Sequence, residues 1–138
     1  MVDLKRLIIK HEGLRLYPYV DTVGKITIGV GRNLTDRGIT EAEAMVLFEN
    51  DLKIAEGAAK QCAKDYGIDF DSLPENIKCV LIDMAFNMGY FRLKSFKRMF
   101  SCVKREDYRG MAEEMMDSLW AKQVGKRAEE LRDLVLSP

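Results

Sequence analysis

The sequence predicts an α+β fold, mostly helical, with a β-hairpin near its start followed by a long helix and further amphipathic helices. Three observations predict it. Residues 15–30 gather Tyr, Val, Ile and Thr around a short Asp/Gly turn, the signature of a hairpin. From residue 40 onward, apolar residues recur at i, i+3 and i+4 behind helix-capping signals. The 138 residues suit one domain, able to bury roughly two-thirds of its unfolded surface.

Each element has a local cause. Asp3 caps a first helix whose Leu4, Leu7 and Ile8 run toward Glu12, and Gly13 stops it. Two β-rich runs follow, Arg15–Tyr19 and Lys25–Val30, joined by Asp21-Thr22-Val23-Gly24. A polar turn falls at Asp36-Arg37-Gly38. Thr40 with Glu43 is a capping box that opens the long helix, with Ala44, Leu47, Phe48, Leu52, Ala55 and Ala59 on one face down to about Ala63. Asp65–Asp71 is rich in acids but fails as an EF-hand. Phe70 stands where Gly is needed and Asn76 where Glu is needed, so it reads as a turn.

Ser72 and Glu75 read as a second capping box around Pro74. They precede the most apolar helix, with Ile77, Val80, Leu81, Met84, Ala85 and Met88 in register and Gly89 as its stop. A shorter helix is expected near Ser95–Cys102. Tyr108, Met111, Ala112, Met115, Met116, Leu119 and Trp120 mark another amphipathic helix, and Val124, Ala128, Leu131 and Leu134 or Val135 a last one. The methionine stripe follows a helical period, which assigns it to a core rather than to a peptide groove. The domain reading is one domain over 1–138.

The chemistry concentrates in residues 11–34. Glu12 falls at a helix end, Asp21 where the first strand ends, and Thr27 on the second strand, so two carboxylates and a hydroxyl converge on one gap. Glycoside cleavage uses such a set: one carboxylic acid protonates the leaving oxygen, and an ionised group supports the oxocarbenium-like centre or directs water to it. A helix end and a turn are different environments, which lets two carboxyls hold different protonation states.

The ordered run E-G-L-x-L-x-x-Y-x-D-x-x-G-x-x-T-I-G-x-G, Glu12 to Gly31, resembles the phage-type lysozymes (endolysins) of glycoside hydrolase family 24. Phe86-Asn87-Met88-Gly89 matches that family's helix ending in F-x-M-G. Ser118-Leu119-Trp120, Gln123 and Lys126-Arg127-Ala128 resemble its S-x-W-x-x-Q-x-x-x-R-A segment. The anchors span about residues 4–128 in family order.

The resemblance implies a lysozyme-like fold, in which a small hairpin lobe (12–39) is joined by a long helix (40–64) to a larger helical lobe (72–138 with 1–11). It also implies a muramidase that cleaves the β-1,4 bond from N-acetylmuramic acid to N-acetylglucosamine in peptidoglycan, with inversion. Glu12 would be the general acid, with Asp21 and Thr27 positioning water on the opposite face. For inversion the two carboxyls should stand about 6.5–9.5 Å apart; about 5 Å would mean retention. Arg127 matches the family arginine that pairs with the catalytic Glu. Arg32 and Asp51 match a family ion pair in which a His stands at the position of Arg32. Substrate contacts carried over by position are Phe86, a cleft-lining aromatic, Tyr19 and Gly31 on the hairpin side, and Asn33, Met99 and Glu114, where the family uses other residue types. Residues 35–39 replace a longer family connection, so the small lobe is trimmed.

Composition bounds the rest. Basic and acidic residues balance at 22 each, and no spacing suggests a metal, so no cofactor and no nucleic-acid partner are expected. Arg92–Arg105 nevertheless holds six basic residues and no acid, a candidate patch for anionic wall polymer. Three scattered cysteines do not make a disulfide framework, and Cys79 reads as a small core residue. No apolar run reaches membrane-spanning length, so no membrane insertion is expected. The N-terminal segment is too short and too charged for a signal peptide. The expectation is a monomer made in a bacterial host's cytoplasm. It would act on the periplasmic wall and depend on a separate holin-type pore for passage without binding it.

Two other classes fit the fold: a non-hydrolytic wall-binding or virion structural protein, and a glycosidase acting on chitin-like polymer. Intact Glu12, Asp21 and Thr27 argue against the first; activity on a peptide-free substrate separates the second.

Overall fold

The structure, a computed structural model, describes residues 1–137. Its chain divides into two compact units, Met1–Leu47 and Phe48–Pro138, and the division falls within one long helix.

The first unit begins with α1 (Leu4–Glu12), capped by Asp3, whose carboxylate accepts from the Arg6 amide at 3.2 Å. Strands β1 (Arg15–Val20), β2 (Ile26–Gly29) and β3 (Arg32–Asn33) form an antiparallel sheet in that order. The hairpin was legible; the short third strand was not. Arg15 pairs with Gly29 and Tyr19 with Thr27, so four steps along β1 match two along β2 and the strand bulges between them. Pro18 lies in that bulge on an edge strand, where its missing N–H costs no ladder bond. The expected turn at Asp36–Gly38 is instead the end of a one-turn helix, α2 (Leu34–Arg37), because the Asn33 side chain accepts from the Asp36 amide and caps it.

Helix α3 (Glu41–Asp65) opens on the expected capping box. Glu43 N donates to Thr40 Oγ1 at 3.1 Å, and Thr40 N donates to Glu43 Oε1 at 2.9 Å. Its expected apolar face is buried only from Ala55 onward, at Ala55, Ala59, Cys62 and Ala63; Leu47, Phe48 and Leu52 are exposed. Residues 1–11, which the family resemblance joins to residues 72–138, fall in Met1–Leu47, and α1 has no buried side chain.

The second unit is built around α4 (Glu75–Met88), whose Ile77, Val80, Leu81 and Met84 are fully buried. Cys79 is a correction, being exposed. Two residues past Ile77 is about 200° around the helix, which turns Cys79 away from the buried stripe. The second capping box is also corrected. Ser72 ends a 3-10 turn (Phe70–Ser72) and its hydroxyl donates to Asp69 O, while Pro74 precedes α4 without a side-chain cap.

Gly89 stops α4, yet the chain resumes at once as α5 (Tyr90–Lys94), a helix the sequence did not suggest; α6 (Lys97–Lys104) is the shorter helix expected near Ser95–Cys102. The next expected helix is two, α7 (Tyr108–Met116) and α8 (Leu119–Val124), because Ser118 leaves the helical path and caps α8 through the Ala121 amide. Helix α9 (Lys126–Leu136) completes the unit and packs on α4 and α7. Met111, Met115 and Trp120 are buried, so the methionine stripe is core.

Candidate active site

Glu12, Asp21 and Thr27 all lie in Met1–Leu47, each placed by a different element. Glu12 is the last residue of α1, exposed, and makes no salt bridge among the described residues of its unit. Its carboxyl rests against the backbone of Gly31: a Cβ built there would come within 2.7 Å of Glu12 Oε2. The turn after β1 fixes Asp21. Its Oδ1 accepts from the amides of Val23 (3.0 Å) and Lys25 (2.8 Å), and its own amide donates to Lys25 O at 2.8 Å. With Oδ1 taken by two backbone donors, Oδ2 is the oxygen left for chemistry.

Thr27 Oγ1 stands 3.5 Å from Asp21 Oδ2 and 3.2 Å from Lys25 O. The hydroxyl has one proton, and the nearer acceptor is the carbonyl. At 4% exposure, Thr27 is the one buried residue among those described in Met1–Leu47.

A ring of polar contacts holds this sheet. Lys25 Nζ pairs with Asp36 at 3.2 Å, and the Ile26 amide donates to Thr35 Oγ1 at 2.8 Å. Arg32 clamps Glu43 through two contacts, Nη1 to Oε1 at 2.8 Å and Nη2 to Oε2 at 2.7 Å, and donates to Gly38 O at 3.3 Å. Within its own unit, the carboxylate Arg32 meets is Glu43. The capping box had already pinned Glu43 at the helix start, within reach of β3. The Arg32 hydrogen bond, helped by those from Thr40, holds the Glu43 carboxyl down at about 2, and the same bond raises Arg32.

The positions carried over as substrate contacts behave differently from one another. Tyr19 lies opposite Thr27 in register, half-buried, with the Arg15 guanidinium 4.7 Å from its ring centroid. Gly31 touches Glu12. The Asn33 amide is occupied by α2, accepting from Asp36 N and donating to Asp36 Oδ2 at 2.9 Å. In the second unit, Phe86 is 42% exposed and tilts against Phe48, with centroids 5.8 Å apart. Met99 is 1% exposed, a core side chain because α6 turns it inward with Phe100 and Val103. Met99 and Glu114 do border one recess of about 450 Å³, with Lys97, Arg98 and Trp120 on its wall. Phe86 does not line that recess.

Arg127 is held inside its own unit by Asp83: Nε and Nη2 both lie 2.8 Å from Asp83 Oδ1, and Nη2 donates to Asp83 O at 3.4 Å. The sequence reading missed Asp83. The signal was an acid inside an otherwise apolar helix, in the stretch that leads to Phe86. Among the described residues no group of three or more His, Cys, Asp or Glu could hold a metal ion.

A profile of the Phage lysozyme family matches residues 9–134, which takes in Glu12, Asp21, Thr27 and Arg127. The chain belongs to the phage lysozyme family. Over 152 residues it is 26% identical to "Probable T4-type lysozyme 2" of Dictyostelium discoideum, covering 91% of this chain and 89% of that protein. A second protein of that organism, "Probable T4-type lysozyme 1", is 25% identical over 96% of this chain and 93% of its own length. The "Pre-baseplate central spike protein Gp5" of Enterobacteria phage T4 is 28% identical over 99% of this chain, which spans 28% of that longer protein. As a phage lysozyme, the chain is a lysozyme-like hydrolase of peptidoglycan. Its helical second unit and small three-stranded sheet are the α+β arrangement the sequence predicted.

Proposed function

We propose that this phage lysozyme is an inverting muramidase that cleaves the β-1,4 bond between N-acetylmuramic acid and N-acetylglucosamine. One observation carries the reading: Asp21 presents a free Oδ2 3.5 Å from the Thr27 hydroxyl, with its other oxygen locked by two backbone amides. A carboxylate oxygen and a hydroxyl oxygen that spacing apart can take the two hydrogens of one water and leave its lone pair for the anomeric carbon. Glu12 protonates the glycosidic oxygen as the bond to the anomeric carbon breaks. Water attacks from the opposite face, and its proton passes to Asp21. Bulk water then returns a proton to Glu12 and removes one from Asp21, which closes the cycle.

The wall of the bacterial host is the substrate in this reading, reached from the cytoplasm through a separate pore. The likeness to the phage T4 spike protein supports a second route, delivery as part of a virion. The deciding experiment incubates the purified protein with outer-membrane-stripped sacculi, with Glu12→Gln as control. Soluble muropeptides with intact reducing-end N-acetylmuramic acid, of inverted configuration by NMR and absent with Glu12→Gln, are the expected result. Anhydro ends would remove the water-positioning role of Asp21 and Thr27. Binding without release would leave a wall-binding protein.

A further inference from the structure

We infer that Gly31 is a positioning residue for the general acid, and that the side chain it lacks is what seats the Glu12 carboxyl. The inference rests on Glu12 being that acid. Two glycines flank Val30 in similar backbone states, Gly29 at φ +69° and Gly31 at φ +65°, a region that L side chains enter only under strain. Their surroundings differ. A Cβ on Gly29 would meet nothing within 4 Å. A Cβ on Gly31 would lie 2.7 Å from Glu12 Oε2, 3.2 Å from Cδ and 3.4 Å from Cγ, so it would collide with that carboxyl oxygen and crowd the carbon that bears it.

The obstructed group is the exposed tip of a flexible side chain. A methyl at Gly31 would therefore be accommodated by Glu12 swinging away, at little cost to folding from the collision itself. The cost would fall on catalysis, because a general acid must lie within hydrogen-bond reach of the oxygen it protonates. Gly31 thus gives the acid a flat wall of backbone to lie on, and this separates its role from that of an ordinary turn glycine.

The paired variants Gly29→Ala and Gly31→Ala test this, since both impose a positive-φ alanine and only the second obstructs Glu12. Hydrolysis of soluble, uncrosslinked peptidoglycan strands gives kcat and KM separately, and thermal melts report the shared backbone strain. The expected result is a similar drop in Tm for both variants. Gly29→Ala should keep kcat within about twofold of wild type, and Gly31→Ala should lose about tenfold or more in kcat with KM within about threefold. Equal kcat values in the two variants would overturn the inference. So would a Gly31→Ala defect confined to KM, which would make Gly31 a sugar contact. The Glu12→Gln control separates the two failures: activity surviving there removes the acid itself, whereas a dead Glu12→Gln beside a fully active Gly31→Ala removes only the seat.

Discussion

Replacing Thr27 by Val isolates the hydroxyl. Valine keeps the branched shape on a central strand, where it fits well. What disappears are contacts of 3.2 Å to Lys25 O and 3.5 Å to Asp21 Oδ2, both long for an O–H donor, whose usual distance is about 2.7–2.8 Å. Such contacts stabilise little, so the expected loss is about 0.5–1 kcal/mol, a shift of a few degrees in Tm. Positioned general base and water contribute about 10²–10⁴ in rate, or about 3–5 kcal/mol at 1.36 kcal/mol per decade. Thr27→Val should therefore lose at least about a hundredfold in kcat while its melt barely moves. Thr27→Ser, which keeps the oxygen, should stay within about tenfold of wild type. The assay is muropeptide release from sacculi by chromatography, alongside a circular dichroism melt. A Thr27→Val enzyme within about threefold of wild type, or a serine variant as impaired as the valine one, would refute the water-positioning argument.

Two further outcomes concern stability. The Glu43 carboxyl titrates at about 2 in the folded chain against about 4.5 when free, so its clamp on Arg32 stabilises above about pH 4.5 and is lost as pH falls toward 2. Thermal melts between pH 5 and 2 should show this acid loss flattened in Glu43→Gln; parallel curves for wild type and Glu43→Gln would count against it. Leu81→Ala, in the fully buried stripe of α4, should cost about 2–5 kcal/mol, whereas Ile54→Ala, at a side chain 71% exposed, should stay within about 0.5 kcal/mol by urea denaturation.

The elements that carry Glu12, Asp21 and Thr27 were legible because each depends on local chemistry: a glycine after Glu12, an Asp that begins a turn, and a β-branched strand for Thr27. The Thr40–Glu43 box was legible for the same reason, as its partners are three residues apart. Ser72 and Glu75 have the same spacing, but Pro74 between them starts the helix by its own fixed φ, and Ser72 turned back to Asp69. The break between α7 and α8 was hidden because the apolar period from Tyr108 to Trp120 runs through it. Only the cap at Ser118 shows where α7 ends and α8 begins. The Arg32–Glu43 and Arg127–Asp83 pairs join positions 11 and 44 residues apart, beyond any local signal. The burial of Met99 was not legible, because position matching carries no burial information and α6 turns that side chain into the core.

Met1–Leu47 buries a threonine and, among the residues described, no apolar side chain. Its sheet is held by turn amides, a helix cap and surface ion pairs, interactions that contribute little each and weaken with salt. The other unit has α4 and its methionines. Cooperative units within one chain open at different free energies, and those without buried apolar contacts open first. Partial unfolding should therefore begin in the sheet that carries Asp21 and Thr27: its amide hydrogens should exchange while those of α4 stay protected. Mild denaturant or high salt should then silence the enzyme while its helical signal is intact, so that what fails first is the machinery for holding water, with most of the molecule still folded.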